Sequence, residues 1–241
     1  MLFLIAREKP AFGKNKRQFM FIVISGMSLG ASWIFLYEAY ARIGVSVASL
    51  LYYCGPVIVI ALSPLVFKEH LTLNKLAGLA AVLTGVTLIN GDAMGSGSDT
   101  FGIICGLMSA VFYAVMVIFN KKASDITGLE NSALQITSAF FAVAIFAGLT
   151  QGFATDISAD SLLPILILGV VNTGLGCYLY FSSIGRLPVH TVAICGYLEP
   201  LSAVLFSVVI LRETLLPLQI VGAVLIIGGA MFSELAKKAH V

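Results

Sequence analysis

The sequence predicts an all-α, polytopic membrane helix bundle built on an inverted-topology repeat, and three observations predict it. Apolar residues make up 59% of the 241-residue chain and charged residues 11%, with a mean hydropathy of +1.01, far outside soluble globular composition. Eight apolar runs approach or exceed the length that crosses about 30 Å of hydrocarbon. Finally, Arg42–Thr87 lies over Arg186–Met231 without a gap at a constant offset of 144, and nine of the 46 positions are identical. Matching Val or Leu is cheap in such a chain. Matching Pro56 with Pro200, Glu69 with Glu213, Gly78 with Gly222 and Gly85 with Gly229 in one frame is not.

The spans follow one another with short turns that leave no room for a soluble domain. Phe19–Tyr40 comes after a basic segment and carries Gly26-x-x-x-Gly30, a close-packing face, with Ser28 polar at membrane depth. Trp33 in this span reads as packing, and Glu38 as a span-end residue reaching the interface. Val45–Val66 holds Tyr52, Tyr53 and Pro56. Leu73–Asn90 places Gly78 and Gly85 seven residues apart, a packing seam. Phe101–Asn120 opens on Gly102-x-x-x-Gly106, a second close-packing face. Thr127-Gly128-Leu129-Glu130 reads as a capping box before Ser132–Leu149. Leu162–Ser183 contains Asn172. Val189–Leu211 holds Tyr197, Glu199 and Pro200, and Leu215–Phe232 repeats the glycine seam as Gly222 and Gly229.

Basic residues give the repeat a direction. Twelve of the Lys and Arg fall on one side: Arg7, Lys9, Lys14, Lys16, Arg17, Lys68, Lys75, Lys121, Lys122, Arg186, Lys237 and Lys238. Only Arg42 and Arg212 fall on the other. The positive-inside rule then puts both termini in the cytoplasm of a plasma (inner) membrane. Arg42 and its partner Arg186 lie on opposite sides, so the copies cross in opposite senses. An offset of 144 accommodates five spans per repeat, a design of five plus five. The expected organisation is a partial first repeat over 1–90, with three helices plus an N-terminal stub, and a complete second repeat of five helices over 91–241. Met1–Ala6 overlays Ile145–Thr150 and is expected to be the stub of a missing helix.

Chemistry at membrane depth centres on Glu199, near the middle of its span. An acid there costs about 2.5–3.5 kcal/mol on insertion scales and usually faces the bundle interior. A proton or a cation offsets that cost, which makes Glu199 a candidate coupling or substrate site. Thr191, Cys195, Glu199 and Ser202 share one helical stripe, while the first copy has Gly55 at the position of Glu199. A neutral glutamic acid bridging two helices is the plainer reading. Pro56 and Pro200 remove N–H groups mid-span and free the carbonyls of Tyr52 and Gly196, either as simple kinks or as site backbone. Tyr52, Tyr53 and Tyr197 lie one turn from those kinks and either line a cavity or pack. Asn172 and Ser28 serve interhelical bonding or substrate contact equally well. Glu69 and Glu213 stand at span starts beside Lys68 and Arg212, and read as structural charges opposing the helix macrodipole.

A run ending at Pro56, then Lys68-Glu69, Leu71-Thr72, Gly78 and Gly85, echoed by Tyr197-Leu198-Glu199-Pro200, Arg212-Glu213, Gly222 and Gly229, resembles the repeat of the drug/metabolite transporter superfamily, EamA-like branch. The resemblance covers nearly the whole chain. It implies a ten-helix pattern, of which the first helix and most of the second are not visible here. It also implies a secondary carrier, often an exporter, of small metabolites such as amino acids, working by alternating access with a midplane site. The rival class is a non-transporting membrane protein, a truncated paralogue or an assembly partner.

Enzyme chemistry has little support. Gly26-Met27-Ser28-Leu29-Gly30 spells a nucleophile-elbow pattern, but inside an apolar helix rather than a strand–turn–helix. The four cysteines lie inside spans without C-x-x-C spacing and read as packing residues. No catalytic residue, metal or cofactor is therefore expected. The expected partners are a small-molecule substrate, a proton or cation, and the lipid bilayer, with a homodimer compatible and no nucleic acid.

Overall fold

The structure, a computed structural model, describes residues 15–68, 72–90, 99–150, 152, 158–184, 186–196, 198–199, 202 and 217–235. Among these residues the secondary structure is helical, without a strand. The expected stub at Met1–Ala6, together with Glu69, Tyr197, Pro200 and Glu213, lies outside them.

Helix α1 (Lys16–Tyr52) begins where the Asn15 side chain accepts the Arg17 and Gln18 N–H groups at 3.2 and 3.4 Å. It is interrupted at Gly44, whose φ of 77° a side chain would resist. That break is the expected boundary between the first two spans. Helix α2 (Cys54–Phe67) ends on Lys68 in the left-handed conformation. Helix α3 (Leu73–Asn90) follows, and then α4 (Thr100–Lys122), which Asp99 caps by accepting the Phe101 N–H at 2.9 Å. Helix α5 (Gly128–Thr150) opens on Gly128 at φ 61°.

Helix α6 (Ala159–Leu166) runs through a π-helical stretch, Ile167–Gly176, into α7 (Cys177–Ile184) as one continuous rod. The stretch carries Gly169, Gly174 and Gly176, which ease the wider winding. Helix α8 (Val189–Gly196) precedes α9 (Pro217–Leu235), whose first residue is a proline, where its missing N–H has no acceptor to lose. Lys16–Val45, Thr100–Lys122, Gly128–Thr150 and Asp160–Ile184 are long and apolar enough to cross a membrane, and Cys54–Phe67, Leu73–Leu88 and Ile220–Gly229 are shorter apolar helices. The chain is an integral membrane protein of the predicted all-α, polytopic class.

Contacts divide the chain into two compact units. The first comprises Met1–Ile34 and Val115–Leu187. Here the Gly26 and Gly30 face packs against α5: a Cβ on Gly26 would lie 2.6 Å from the Gln135 carbonyl, and one on Gly30 2.7 Å from that of Ala139. Such close backbone approach is what small residues permit in a bilayer. A buried polar network ties the same helices together. Gln135 Nε2 donates to Ser25 Oγ at 2.6 Å, and Ser25 in turn donates to the Met116 carbonyl at 2.7 Å. The Asn120 and Asn131 amides pair reciprocally at 3.0 and 3.2 Å, both residues being 2% exposed. Asn131 also donates to the Phe181 carbonyl, and Lys121 caps the α7 end through the Ile184 and Leu187 carbonyls.

The second unit comprises Phe35–Ala114 and Pro188–Val241. Its main packing is α3 against α9, the two ends of the sequence repeat. A Cβ on Gly85 would lie 2.5 Å from the Gly222 carbonyl, and one on Gly229 2.7 Å from that of Gly78. As the number rises from 78 to 85 on one helix, it falls from 229 to 222 on the other, so the helices are antiparallel. Gly78 and Gly222 are repeat equivalents, as are Gly85 and Gly229. Exchanging equivalents therefore turns one contact into the other, which is the signature of a two-fold, self-complementary interface. The four glycines expected as a packing seam meet one another across it, as the inverted repeat requires.

Candidate functional site

The site grows out of a break in the second predicted span. Val45–Val66 is not one helix. The final segment of α1 ends at Tyr52, Tyr53 caps α2, and α2 restarts at Cys54. Pro56 is the cause: its missing N–H falls in the first turn of α2, where donors have no intrahelical acceptor anyway. In the second copy, α8 ends at Gly196, which is 144 residues beyond Tyr52. Residues 198 and 199 beyond it are helical, and α2 packs against α8.

Tyr113 of α4 reaches both copies, at Gly55 and at Gly196. A Cβ on Gly55 would lie 2.6 Å from Tyr113 Cδ1, so that glycine makes room for the ring. A Cβ on Gly196 would lie 3.5 Å from the Tyr113 hydroxyl and 4.0 Å from Pro56 Cγ. Tyr113 also meets Tyr52 edge-to-face, with centroids 5.3 Å apart at 74°, and Tyr52 neighbours Tyr53 at 6.2 Å. Glu199 lies within electrostatic range of the Tyr40, Tyr52 and Tyr53 hydroxyls. Glu199 is exposed. Ser49 donates to the Tyr40 hydroxyl at 3.4 Å, and Ser202 donates to the Glu199 backbone carbonyl at 2.8 Å. Ser202, one of the expected stripe, therefore uses its hydroxyl on the helix itself.

Of the residues singled out in the sequence, the second unit gathers Tyr52, Tyr53, Pro56, Gly196 and Glu199. Ser28 and Asn172 belong to the first unit. Ser28 is 7% exposed and donates to the Ile24 carbonyl at 2.8 Å, so its hydroxyl is satisfied within its own helix. Asn172 is exposed on the π-helical stretch. The sequence reading missed Tyr113 and Tyr40. Tyr113 had a signal, a hydroxyl at the middle of a predicted span, whereas Tyr40 read only as a span end.

At the opening of α4, Arg42 bridges Glu38 at 2.6 Å and Asp99 at 3.1 Å, with its guanidinium 4.6 Å above the Phe101 ring. The Arg42 guanidinium, and then the Phe101 N–H, hold the Asp99 carboxyl below its ordinary value. Glu38, expected to reach freely for the interface, is tied into this cluster instead.

The EamA-like transporter family matches residues 1–91 and 100–235. The chain belongs to that family. It is 31% identical over 194 residues to a "Probable amino-acid metabolite efflux pump" of Salmonella typhimurium, covering 76% of this chain and 64% of that protein. It is 25% identical over 199 residues to the "Uncharacterized transporter YxxF" of Bacillus subtilis, covering 81% of this chain and 63% of that protein. An "Uncharacterized transporter" of Archaeoglobus fulgidus is 29% identical over 222 residues, with 92% and 77% covered. The chain thus spans a little under two-thirds of the length of the first two. A crystal structure at 18% identity has the same fold, with a TM-score of 0.73 over 90% of this chain and 89% of that one. The relatives are named as transporters rather than enzymes.

Proposed function

We propose that this EamA-like protein is a secondary active exporter of a small metabolite, such as an amino acid, working by alternating access. The site lies at mid-depth between the two inverted copies, around Glu199, Tyr52, Tyr53 and Tyr113. Pro56 and Gly196 belong to the site's backbone, and the sequence assigns Pro200 and Tyr197 to the same site. What supports the reading is the antiparallel packing of the repeat-equivalent helices α3 and α9, together with the break of the second span at Tyr53 ahead of Pro56. Discontinuous helices in corresponding positions of inverted halves are where transporters place substrate and coupling ions. Both termini are assigned to the cytoplasm of the inner membrane, with one repeat over 1–90 and the other over 91–241. Glu69 and Glu213 are helix-end charges in this scheme.

The test is efflux from proteoliposomes loaded with labelled amino acids. Glu199→Gln keeps size and hydrogen bonding but cannot exchange a proton, so efflux or its coupling should collapse while the protein stays folded. Glu213→Gln should leave efflux near the wild-type rate. Loss in Glu213→Gln with survival of Glu199→Gln would mean that the wrong glutamate was chosen. Absence of any transport by the wild-type chain would favour a non-transporting partner.

A further inference from the structure

Two cations bracket an aromatic pair where α1 begins and α4 ends. Within the first unit, Phe21 of α1 meets Phe119 of α4 edge-on, with ring centroids 5.7 Å apart at 68°. That contact sets the start of one helix beside the end of the other, because α1 opens at Lys16 and α4 closes at Lys122. Arg17 lies one turn before Phe21 and holds its guanidinium 5.4 Å from the ring centroid. Lys122 follows Phe119 by three residues and holds its ammonium 5.8 Å from that ring. Both distances fall within cation–π range. The platform beneath is fixed by packing, since Phe21 lies against a small core of Ile22, Ala123 and Ile126. The charges themselves are unspent. Arg17 and Lys122 are exposed, and among the described residues neither forms an ion pair. Asp125, in the turn after α4, is bonded by the Ser124 hydroxyl instead. Lys121 differs, being used to cap α7 through the Ile184 and Leu187 carbonyls.

We propose that this bracket is a binding site for an anionic phospholipid, its phosphate held by Arg17 and Lys122 and its acyl chains lying along the helices below the Phe21–Phe119 pair. The depth is right, because both cations stand at the ends of helices long and apolar enough to cross a membrane, where lipid phosphates lie. The chemistry is right as well. A guanidinium fork matches two phosphate oxygens, and an ammonium adds a compact second charge. A zwitterionic lipid brings its own ammonium, which the pair of cations repels, so the site discriminates by net headgroup charge. Basic pockets between transmembrane helices hold anionic headgroups in this way. The site lies in the first unit and rests on nothing assumed about transport.

The test titrates the purified chain in neutral detergent with phosphatidylglycerol and, separately, with phosphatidylcholine of the same acyl chains, and counts bound lipid by native mass spectrometry. Phosphatidylglycerol should bind at least tenfold tighter, about 1.4 kcal/mol. Removing both cations in Arg17→Gln with Lys122→Gln should erase that preference. Each single change should weaken it roughly fivefold, the worth of one basic residue near a membrane surface. Melting temperatures in the same detergent report that each variant is folded. Lys75→Gln, which removes a basic residue of α3 in the other unit, should leave the preference intact. Glycerol phosphate at millimolar concentration should fail to displace the lipid, since it carries the anion without the chains. Equal binding of the two lipids by the wild-type chain would overturn the proposal, and so would a preference that survives the double change. A preference lost equally in Lys75→Gln would overturn it in favour of net charge alone. Displacement by glycerol phosphate would overturn it in favour of a free phosphate compound.

Discussion

Adjacent glycines on α9 offer a test of the inverted packing with its own internal control. Gly229 is buried, and a Cβ there would lie 2.7 Å from the Gly78 carbonyl, 3.0 Å from Ala81 Cβ and 3.0 Å from Val82 Cγ2. Gly228 is exposed, and a Cβ there would meet nothing within 4 Å. Ordinary contact begins at 3.4 Å, so Gly229→Ala must push α3 and α9 apart locally by about 0.7 Å. A gap of that size forfeits a quarter to a half of each dispersion well of about 0.1–0.2 kcal/mol, over the many atom pairs of a tight seam. Overpacking of this kind costs about 1–3 kcal/mol. Both substitutions share the same helix-propensity gain of about 1 kcal/mol, so it cancels when they are compared with each other. Reversible unfolding in mixed micelles should therefore place Gly229→Ala about 1–3 kcal/mol below Gly228→Ala. Gly85→Ala, at 2.5 Å from the Gly222 carbonyl, should behave like Gly229→Ala, because the two-fold relation makes the two contacts equivalent. The double variant should cost less than the sum, since the first separation relieves the second clash. Equal stabilities for Gly228→Ala and Gly229→Ala would refute the seam and with it the antiparallel pairing of the repeat.

In the first unit, Asn131→Ala strands the Asn120 amide, and a double-mutant cycle with Asn120→Ala should give a coupling of about 0.6–1.7 kcal/mol in unfolding measurements, where zero would mean the pair is incidental. Gly55→Ala drives a Cβ to 2.6 Å from Tyr113 Cδ1 and should impair efflux and ligand binding, whereas adding Tyr113→Ala should relieve the loss of stability but not the loss of binding. The third concerns pH. Asp99 is held below its ordinary value when folded, so its stabilisation is complete above the ordinary carboxylate range and lost as pH falls through the lowered folded value. Thermal stability should fall on acidification, and Asp99→Asn should flatten that part of the profile; an unchanged slope in Asp99→Asn would assign the acid sensitivity elsewhere. High salt should also weaken this exposed cluster.

How much could be read from the sequence varies with the physics that decided each feature. The seam between α3 and α9 was legible because only glycine allows backbones so close, and four glycines recur at one spacing. The boundary at Gly44 was legible because the apolar spans stop at Tyr40 and resume at Val45, with a glycine between them to take the left-handed turn. The break at Tyr53 was not, since the apolar run passes through it unchanged. Pro56 announced a kink but not its position, three residues earlier. Asn120 and Asn131 read as boundary residues at the ends of spans, yet they are buried against each other, a pairing that depends on which helices meet rather than on either helix alone. Tyr113 was ambiguous for the same reason: an aromatic at mid-span looks like packing until its neighbours are known. The site was therefore half visible, through the repeat-linked residues and the one central acid.

The way the site breaks the symmetry of its scaffold explains why its two halves differ in sequence. At an offset of 144, Tyr52 corresponds to Gly196 and Gly55 to Glu199. In each pair one copy supplies a side chain and the other supplies none. At 55 the reason lies in Tyr113, whose ring would lie 2.6 Å from a Cβ there, whereas a Cβ at 196 would make an ordinary contact with its hydroxyl. A fully symmetric pair of copies would either place two tyrosines and two acids around a blocked centre or leave the centre empty of function. Gly55 lets a ring from α4 enter, and that ring meets Tyr52 at 5.3 Å. The inverted repeat supplies corresponding positions, and this sequence fills one of each pair, with a tyrosine at 52 and an acid at 199.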